Sequence, residues 1–308
     1  MTAAVIAGLV FAGAASVALN ASYLVQHAGS RRAPRIAVSR PIAAVRSLFG
    51  SPLWLLGGAL GMIGWALHVA ALSRAPLSLV QAFAAGGLAL TVPAAARFLG
   101  VRLTARERAA VLGMGAALVA LGIGDPSAHG HLAAPLLLVL CLAAAGLAAA
   151  LAARSTGRRT ALAGVAAGLL YGAADAATKA LTLAASGGVA AALGSGWLVA
   201  VLALSAGAFL CFQRGLQQGP VVPVIALMTV ATTVWSVICG LVAFGDPLGA
   251  GPAAVALHLI AFAVIGAGAW VLGGGQARLA ERGAAASAPP ADRLPALRLG
   301  PTAGGSRA

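Results

Sequence analysis

Few residues of this chain could do chemistry, and two of them lie inside one apolar stretch. Asp175 and Lys179 stand in the segment 164–182, which otherwise consists mostly of alanine, glycine and leucine. A spacing of four residues places two side chains on one helical face, where they can form an ion pair. At about 100° per residue, the small and polar residues share one sector of about 120°. These residues are Gly164, Gly168, Tyr171, Gly172, Asp175, Thr178, Lys179 and Thr182.

Two interpretations of Asp175 and Lys179 remain open. A charge near the centre of a bilayer costs roughly 2.5–3.5 kcal/mol on insertion scales, so it rarely faces lipid. The pair could therefore line a transport pathway, and we favour this because intramembrane ionisable residues are functional candidates by default. Alternatively, the pair is structural and fixes one helix against its neighbours, or Lys179 extends towards the membrane surface.

Composition defines the class of protein. The chain is 61% hydrophobic and 8% charged, whereas soluble domains are about 25% charged. This predicts a polytopic membrane protein without a separate globular domain. The net charge of +14 does not indicate nucleic acid, because the arginines lie in short connections where orientation signals belong. The three cysteines have no disulfide or zinc spacing, and no catalytic motif is present, so the sequence predicts no enzyme, cofactor or metal site.

Nine segments contain the roughly 20 apolar residues that a spanning helix needs. They are Thr2–His27, Pro52–Leu72, Ser78–Leu99, Glu107–Gly124, His131–Ala153, Thr160–Ala184, Gly196–Leu216, Val221–Ala243 and Pro252–Gly273. Arginines follow spans one, three, five, seven and nine, and only Arg74 and Lys179 depart from this alternation. The positive-inside rule then predicts an outside N-terminus and a cytoplasmic C-terminus. The expected location is the cytoplasmic membrane of a bacterium.

Short similarities indicate an internal repeat. Leu72–Pro76 matches Leu216–Pro220, and Phe98–Gly100 resembles Ala243–Gly245. Because the matching spans are five apart, the second copy is inverted, as in secondary transporters that bind substrate near the midplane. The predicted units are a first repeat (1–124), a linking fifth helix (125–159), a second repeat (160–273) and a disordered basic cytoplasmic tail (274–308).

Polar faces of other spans extend the candidate pathway. Serine and threonine hydroxyls often bond the carbonyl of the preceding turn, but several on one face favour a lined cavity. His68 and His258 are more typical of helix–helix hydrogen bonds than of proton relays. The His129-Gly-His131 loop near Asp125 could hold a metal, but a solvated loop is favoured. The candidate lining residues are Asn20, Tyr23, Gln81, Tyr171, Thr178, Thr229 and Thr233.

Two motifs resemble the drug/metabolite transporter superfamily (EamA-like). They are the link Ala71–Pro76 and the stretch Phe98–Leu103, which precedes a glycine-rich span ending at Gly122. The family's Gly-Glu-Arg-Leu reads Gly-Val-Arg-Leu from Gly100, and the second copy, from Gly245, keeps an acid but lacks the arginine. The nine-span layout, the long loop after span one and Lys179 are similar to the NIPA-like branch, which implies magnesium transport.

The sequence favours a secondary transporter of a small metabolite-like or drug-like solute. Alternating access would operate about a cavity between spans one, three, six and eight. A NIPA-like magnesium transporter and a non-transporting membrane subunit are the alternatives. Magnesium prefers several oxygen ligands, whereas Asp175 is the single clearly intramembrane acid and Lys179 stands beside it. The expected partners are the lipid bilayer and a small-molecule or ion substrate, with a possible homodimer.

Overall fold

The computed structural model describes residues 2–30, 52–98, 100–123, 131–155, 159, 161–218, 221–249 and 251–286. The basic connection after span one, Asp125, His129, the side chain of Tyr23 and residues 287–308 lie outside this description. The described residues form helices α1 (Ala3–Ser30), α2 (Pro52–Leu72), α3 (Leu77–Gly86), α4 (Leu88–Phe98), α5 (Ala105–Ile123), α6 (Ala134–Arg154), α7 (Leu162–Ala185), α8 (Val189–Leu193), α9 (Gly196–Gln218), α10 (Val221–Ala243) and α11 (Pro252–Ala286).

The described part of the chain is helical, and seven of its segments have the length and composition to cross a membrane. These segments are Ala3–Ser22, Pro52–Leu72, Leu77–Ala94, Ala134–Arg154, Gly196–Gly215, Pro223–Ala243 and Pro252–Gly275. Many of their large apolar side chains are exposed, as expected of helices that meet lipid. The predicted class, an all-α multi-pass membrane protein, is therefore confirmed. Spans four and six are also helical, as α5 and α7, but both carry charged residues.

Span three consists of two consecutive helices, α3 and α4, that meet at Gly87. The backbone of Gly87 stays right-handed helical and its carbonyl accepts the N–H of Thr91 at 3.0 Å, so Leu77–Ala94 remains one span. Pro93 lies inside α4, and a proline has no N–H to donate to the preceding turn. The hydroxyl of Ser16 on α1 donates to the carbonyl of Ala84 at 2.5 Å. A methyl group at Gly87 would overlap this hydroxyl, so glycine is required for the close approach of α1.

Helix α7 is central to the bundle and packs against α6, α9 and α10. Its three glycines, Gly164, Gly168 and Gly172, lie against the backbone of α10. A methyl group at Gly172 would come within 2.8 Å of the carbonyl oxygen of Thr232. Small residues one turn apart allow two helix backbones to approach closely, which is how helices associate in lipid. This contact fixes the rotation of α7 about its own axis.

The bundle has two distinct ends, which we name by the acidic residue at each. At the Asp246 end, Gly8 of α1 approaches Ala75, and the N–H of Ala133 donates to the carbonyl of Ala243 at 2.8 Å. At the Glu107 end, α5, α7, α9, α10 and α11 meet through close approaches at Gly215, Gly273 and Gly275. The helix ends and connections at the Glu107 end carry Arg97, Arg102, Arg106, Arg108, Arg154, Arg159 and Arg214.

Local sequence signals explain several helix ends. The hydroxyl and N–H of Thr104 donate to a carboxylate oxygen of Glu107, both at 2.8 Å, which is the capping box that begins α5. Gly100 and Gly245 have φ of +64° and +61°, and they follow α4 and α10 in the left-handed conformation that ends helices. Helix α11 continues to Ala286, so residues 274–286 of the predicted disordered tail are helical. Alanine, arginine, leucine and glutamate in this stretch favour that continuation.

Candidate functional site

The carboxylate of Asp175 connects three helices inside the bundle. Gln81 of α3 donates its Nε2 hydrogen to Oδ2 of Asp175 at 2.7 Å. His68 of α2 places Nε2 at 3.4 Å from Oδ1. Gln81 and His68 are 3% and 7% exposed, whereas the side chain of Asp175 keeps 24% of its accessible surface. Asp175 is thus enclosed by polar partners on one side and accessible on another.

One buried polar atom of this cluster has no hydrogen-bond partner among the described residues. Nδ1 of His68 is buried and makes no hydrogen bond to any described residue. The buried indole nitrogen of Trp235 likewise has no hydrogen-bond partner among the described residues, and the Cβ of Trp235 lies near Gly172 of α7. Buried polar groups are nearly always hydrogen-bonded, and each exception calls for an explanation. Both side chains belong to helices that pack against α7, the helix that carries Asp175.

Lys179 does not form the ion pair with Asp175 that the spacing of four residues suggested. Its Nζ instead donates to the carbonyl oxygens of Leu72 and Ala75, at 2.5 and 2.8 Å. Leu72 ends α2, and the last carbonyls of a helix have no partner within it. A cation at this position also interacts favourably with the helix dipole. Lys179 therefore caps the C-terminus of α2.

Asp246 binds the N-terminus of the next helix, α3, as Lys179 binds the C-terminus of α2. Its Oδ2 accepts the N–H of Ser78, in the first turn of α3, at 2.7 Å. Burial raises the pKa of the Asp246 carboxyl, while the hydrogen bonds from Ser78 and the charge of Lys179 act in the opposite direction. We call Lys179 and Asp246 the α2–α3 clamp, because a cation holds the end of α2 and an anion holds the start of α3. Both partners lie at the Asp246 end.

Four further predicted site residues have partners on their own helices, and the side chain of Tyr23 lies outside the described residues. The hydroxyls of Thr178, Thr229 and Thr233 donate to carbonyls one turn back on their own helices, at 2.8, 3.0 and 3.0 Å. Asn20 donates to the carbonyl and hydroxyl of Ser16 on α1. These bonds follow the usual behaviour of short polar side chains in apolar helices. Tyr171 is partly exposed.

The predicted polar sector of α7 has two parts in the structure. Its glycine edge is covered by α10, as described above. Its other edge, with Tyr171, Asp175, Lys179 and Thr182, is partly exposed and includes the contacts to α2 and α3. The small residues and the polar residues therefore serve different purposes. Only the second edge can present groups to a solute.

Sequence reasoning underrated two residues of this region. His68 was expected to join two helices, and it does so through the carboxylate of Asp175 on α7, which also makes it part of the candidate site. Asp246, the acid that follows Gly245 in the second motif copy, was not among the candidate residues, but it is 8% exposed and accepts the N–H of Ser78. The signal for Asp246 was its place directly after Gly245, a residue that ends a helix by turning the chain.

An apolar cavity of about 360 Å³ lies apart from Asp175, between α1, α3, α4 and α5. Its lining includes Leu9, Gly13, Phe83 and Leu118, and its rim includes the exposed side chains of Val10 and Leu90. This cavity offers no polar group that could orient a solute. The polar edge of α7 is consequently the better candidate for chemistry.

The chain has no detectable match among protein-family models, curated proteins or solved structures. The function proposed below is therefore inferred from the residues and geometry of this chain.

Proposed function

We propose that this protein is a secondary transporter that moves a small organic, metabolite-like or drug-like solute across the membrane. The observation that carries the proposal is Asp175, an acid within a bundle of apolar helices whose side chain is held by His68 and Gln81 yet remains partly accessible. Structural acids in membranes are normally sealed by their partners, because exposure to lipid is costly. A partly accessible carboxylate between helices suits a solute or a water-filled path.

The contacts of span three support the same proposal. Its helix α3 carries Gln81, the hydrogen-bond partner of Asp175. Helix α3 contacts α1 and α10, and α10 contacts α7, so the four spans of the proposed pathway are neighbours.

We further propose nine membrane crossings arranged as an inverted repeat. Helix α5 has 19 residues and would cross with its capping box at the surface, and α7 would cross within the bundle, shielded by its neighbours. Gly100 and Gly245, at corresponding positions after spans three and eight, share the same left-handed conformation. Spans one and two pack together, as do spans six and seven. These pairings support two related halves.

The charge distribution supports an orientation. The arginines of the described connections concentrate at the Glu107 end, which the positive-inside rule assigns to the cytoplasm. The α2–α3 clamp then faces outside, as does the start of α1. The clamp joins α7 and the segment after α10 to the link between α2 and α3. Outward opening of the pathway would therefore require Lys179 or Asp246 to release its partner.

Magnesium is the second candidate solute. Only the resemblance to the NIPA-like branch favours it. Magnesium keeps several waters and prefers octahedral oxygen ligands, usually with more than one carboxylate. Asp175 instead contacts a histidine and an amide nitrogen, and a lysine stands one turn away. Hydrogen-bonding groups beside an accessible carboxylate suit an organic solute better.

The proposal is tested by flux in vesicles containing the purified protein. A panel of labelled small metabolites and cationic drugs is offered from outside, and a magnesium-sensitive dye inside reports the competing ion. Asp175→Asn should reduce the uptake of the transported compound at least tenfold. Glu107→Gln is the matched control, because it makes the same charge change at a buried carboxylate that caps a helix far from Asp175.

The possible results separate the candidates. Saturable uptake of an organic compound that depends on Asp175 supports the proposal. Saturable magnesium entry that is lost in Asp175→Asn replaces the solute by magnesium. Equal uptake by wild type and Asp175→Asn rejects Asp175 as part of the pathway. The absence of any protein-dependent flux favours a non-transporting membrane subunit.

A further inference from the structure

We propose that His68 and Asp175 form a proton-binding site, and that the proton they exchange with water controls the opening of the α2–α3 link. This inference rests on the proposed transport function, since it names the coupling ion of the same site. It goes beyond the sequence-based expectation for His68, which was a hydrogen bond between helices.

The geometry of His68 is the first observation. Its Nε2 lies 3.4 Å from Oδ1 of Asp175, while Nδ1 has no hydrogen-bond partner among the described residues. A histidine that only joined two helices would need one bonded nitrogen and would normally satisfy the other. His258 provides the comparison within this chain, because it is equally buried, at 5% exposure, and its Nδ1 lies 2.9 Å from the carbonyl oxygen of Ala254.

The charges around Asp175 are the second observation. Lys179, one turn away, is occupied by the carbonyls of Leu72 and Ala75 and by its electrostatic interaction with Asp246. Gln81 supplies a neutral donor. Cys239 of α10 interacts electrostatically with Asp175, and Tyr171 lies one turn before it on α7. Of these groups, His68 is the one that both contacts the carboxylate and keeps a buried ring nitrogen without a partner among the described residues.

The proton transfer is balanced without any other reagent. In one state, neutral His68 points Nε2–H at the ionised Asp175, and Nδ1 offers a lone pair. Hydronium from the open side of the pathway gives its proton to Nδ1 of His68: an O–H bond of hydronium breaks, the Nδ1–H bond forms, water leaves, and the net charge of the pair changes from −1 to 0. Transfer of this proton to water on the other side breaks the Nδ1–H bond and restores −1. Asp175 thus alternates between an unneutralised and a neutralised carboxylate.

The change of charge at His68 and Asp175 can reach the α2–α3 link because the residues involved are close in sequence to the residues that the clamp holds. His68 is one turn before Leu72, the residue whose carbonyl Lys179 caps. Gln81 is one turn after Ser78, which Asp246 holds. Both partners of Asp175 therefore belong to the two helices that the clamp joins. The imidazolium form of His68 attracts the Asp175 carboxylate more strongly than the neutral ring does and competes with Gln81 for it, which pulls unequally on α2 and α3.

The first measurement follows the protonation of His68 directly. The full-length protein in nanodiscs, labelled with ¹⁵N-histidine, is titrated from about pH 5 to 8, the range in which histidine changes charge. His68→Gln and His258→Gln assign the two signals. We expect the His68 signal to change between the neutral and the imidazolium form, and Asp175→Asn to displace this titration but not that of His258.

The second measurement follows the link. Ser73, exposed in the α2–α3 link, is replaced by cysteine after Cys141, Cys211 and Cys239 are changed to alanine. The rate of modification by a polar maleimide should change at least threefold across the His68 titration. His68→Gln keeps a neutral donor towards Asp175 and should abolish this pH dependence, whereas the matched control His258→Gln should retain it.

Two results overturn the inference, and they differ from a failure of the proposed function. His68 could stay in one protonation state throughout, or the Ser73→Cys reaction could be independent of pH in the wild-type background. If solute flux still depends on Asp175 in either case, transport stands and proton coupling is rejected. If both measurements succeed but no compound moves, the proton site stands and the transport proposal is rejected.

Discussion

The α2–α3 clamp makes a quantitative prediction at Asp246. Its carboxylate accepts the buried N–H of Ser78 at 2.7 Å, in the first turn of α3. Asp246→Ala leaves this donor unpaired, which costs about 1–3 kcal/mol. It also removes an anion from a helix N-terminus, worth about 0.3–1 kcal/mol. Burial of the carboxylate opposes these gains, so we expect a net loss of about 2 kcal/mol in the free energy of unfolding.

The matched variant Asp246→Asn keeps an acceptor for Ser78 and removes only the charge. It should therefore lose no stability at neutral pH, since burial, which raises the pKa of this carboxyl, outweighs the attraction of the charge for the helix terminus. Reversible unfolding in mixed detergent–SDS micelles, followed by far-ultraviolet circular dichroism, measures both variants. Equal losses for alanine and asparagine would refute the assignment of Asp246 as the acceptor that begins α3.

Gly240 provides an independent check of the same contact. A methyl group at this position would lie 2.5 Å from Oδ2 of Asp246 and 3.0 Å from the nitrogen of Ser78. Gly240→Ala must therefore displace the carboxylate and should cost about 1–3 kcal/mol. In the double variant with Asp246→Ala, the methyl group occupies space that the shorter side chain leaves, so the combined loss should be smaller than the sum. Additive losses would contradict this geometry.

Three further predictions concern the clamp and the orientation. Lys179→Met keeps the aliphatic stem but leaves the carbonyls of Leu72 and Ala75 without their cation, so the free energy of unfolding should fall by about 1–3 kcal/mol. Lys179→Arg keeps a cation and should therefore lose less stability than Lys179→Met. Because burial raises the pKa of Asp246, the native state holds the carboxyl proton more tightly than the unfolded chain does. The stabilisation from this proton is complete below the unfolded pKa and is lost as the pH rises through the folded pKa. When the free energy of unfolding is measured against pH, Asp246→Asn should remove this loss. In intact cells, a polar maleimide should modify a cysteine at Ser73 but not one at Arg159, and the reverse result would invert the proposed orientation.

The helical positions of the site could be predicted from the sequence because apolar periodicity determines them. Asp175 lies on the face that the periodicity directed to the interior, and the structure joins it to Gln81, another predicted lining residue, at 2.7 Å. The close approach of α1 at Gly87 could not be predicted in this way. It is a tertiary contact that depends on Ser16 of α1, whose hydroxyl donates to the carbonyl of Ala84.

The pairing of charges illustrates why spacing alone was insufficient. An ion pair four residues apart on a helix contributes about 0.2–0.5 kcal/mol, and both of its charges must still be satisfied within the bundle. A hydrogen bond from a charged group contributes about 1.5–3 kcal/mol, and the last carbonyls of a helix have no other partner. Lys179 can reach two such carbonyls, and Asp175 can reach Gln81 and His68. The hydrogen bonds to other helices therefore stabilise the two charges more than an ion pair within α7 would. Lys179 accordingly lies in a structural site and Asp175 in a separate, partly accessible one.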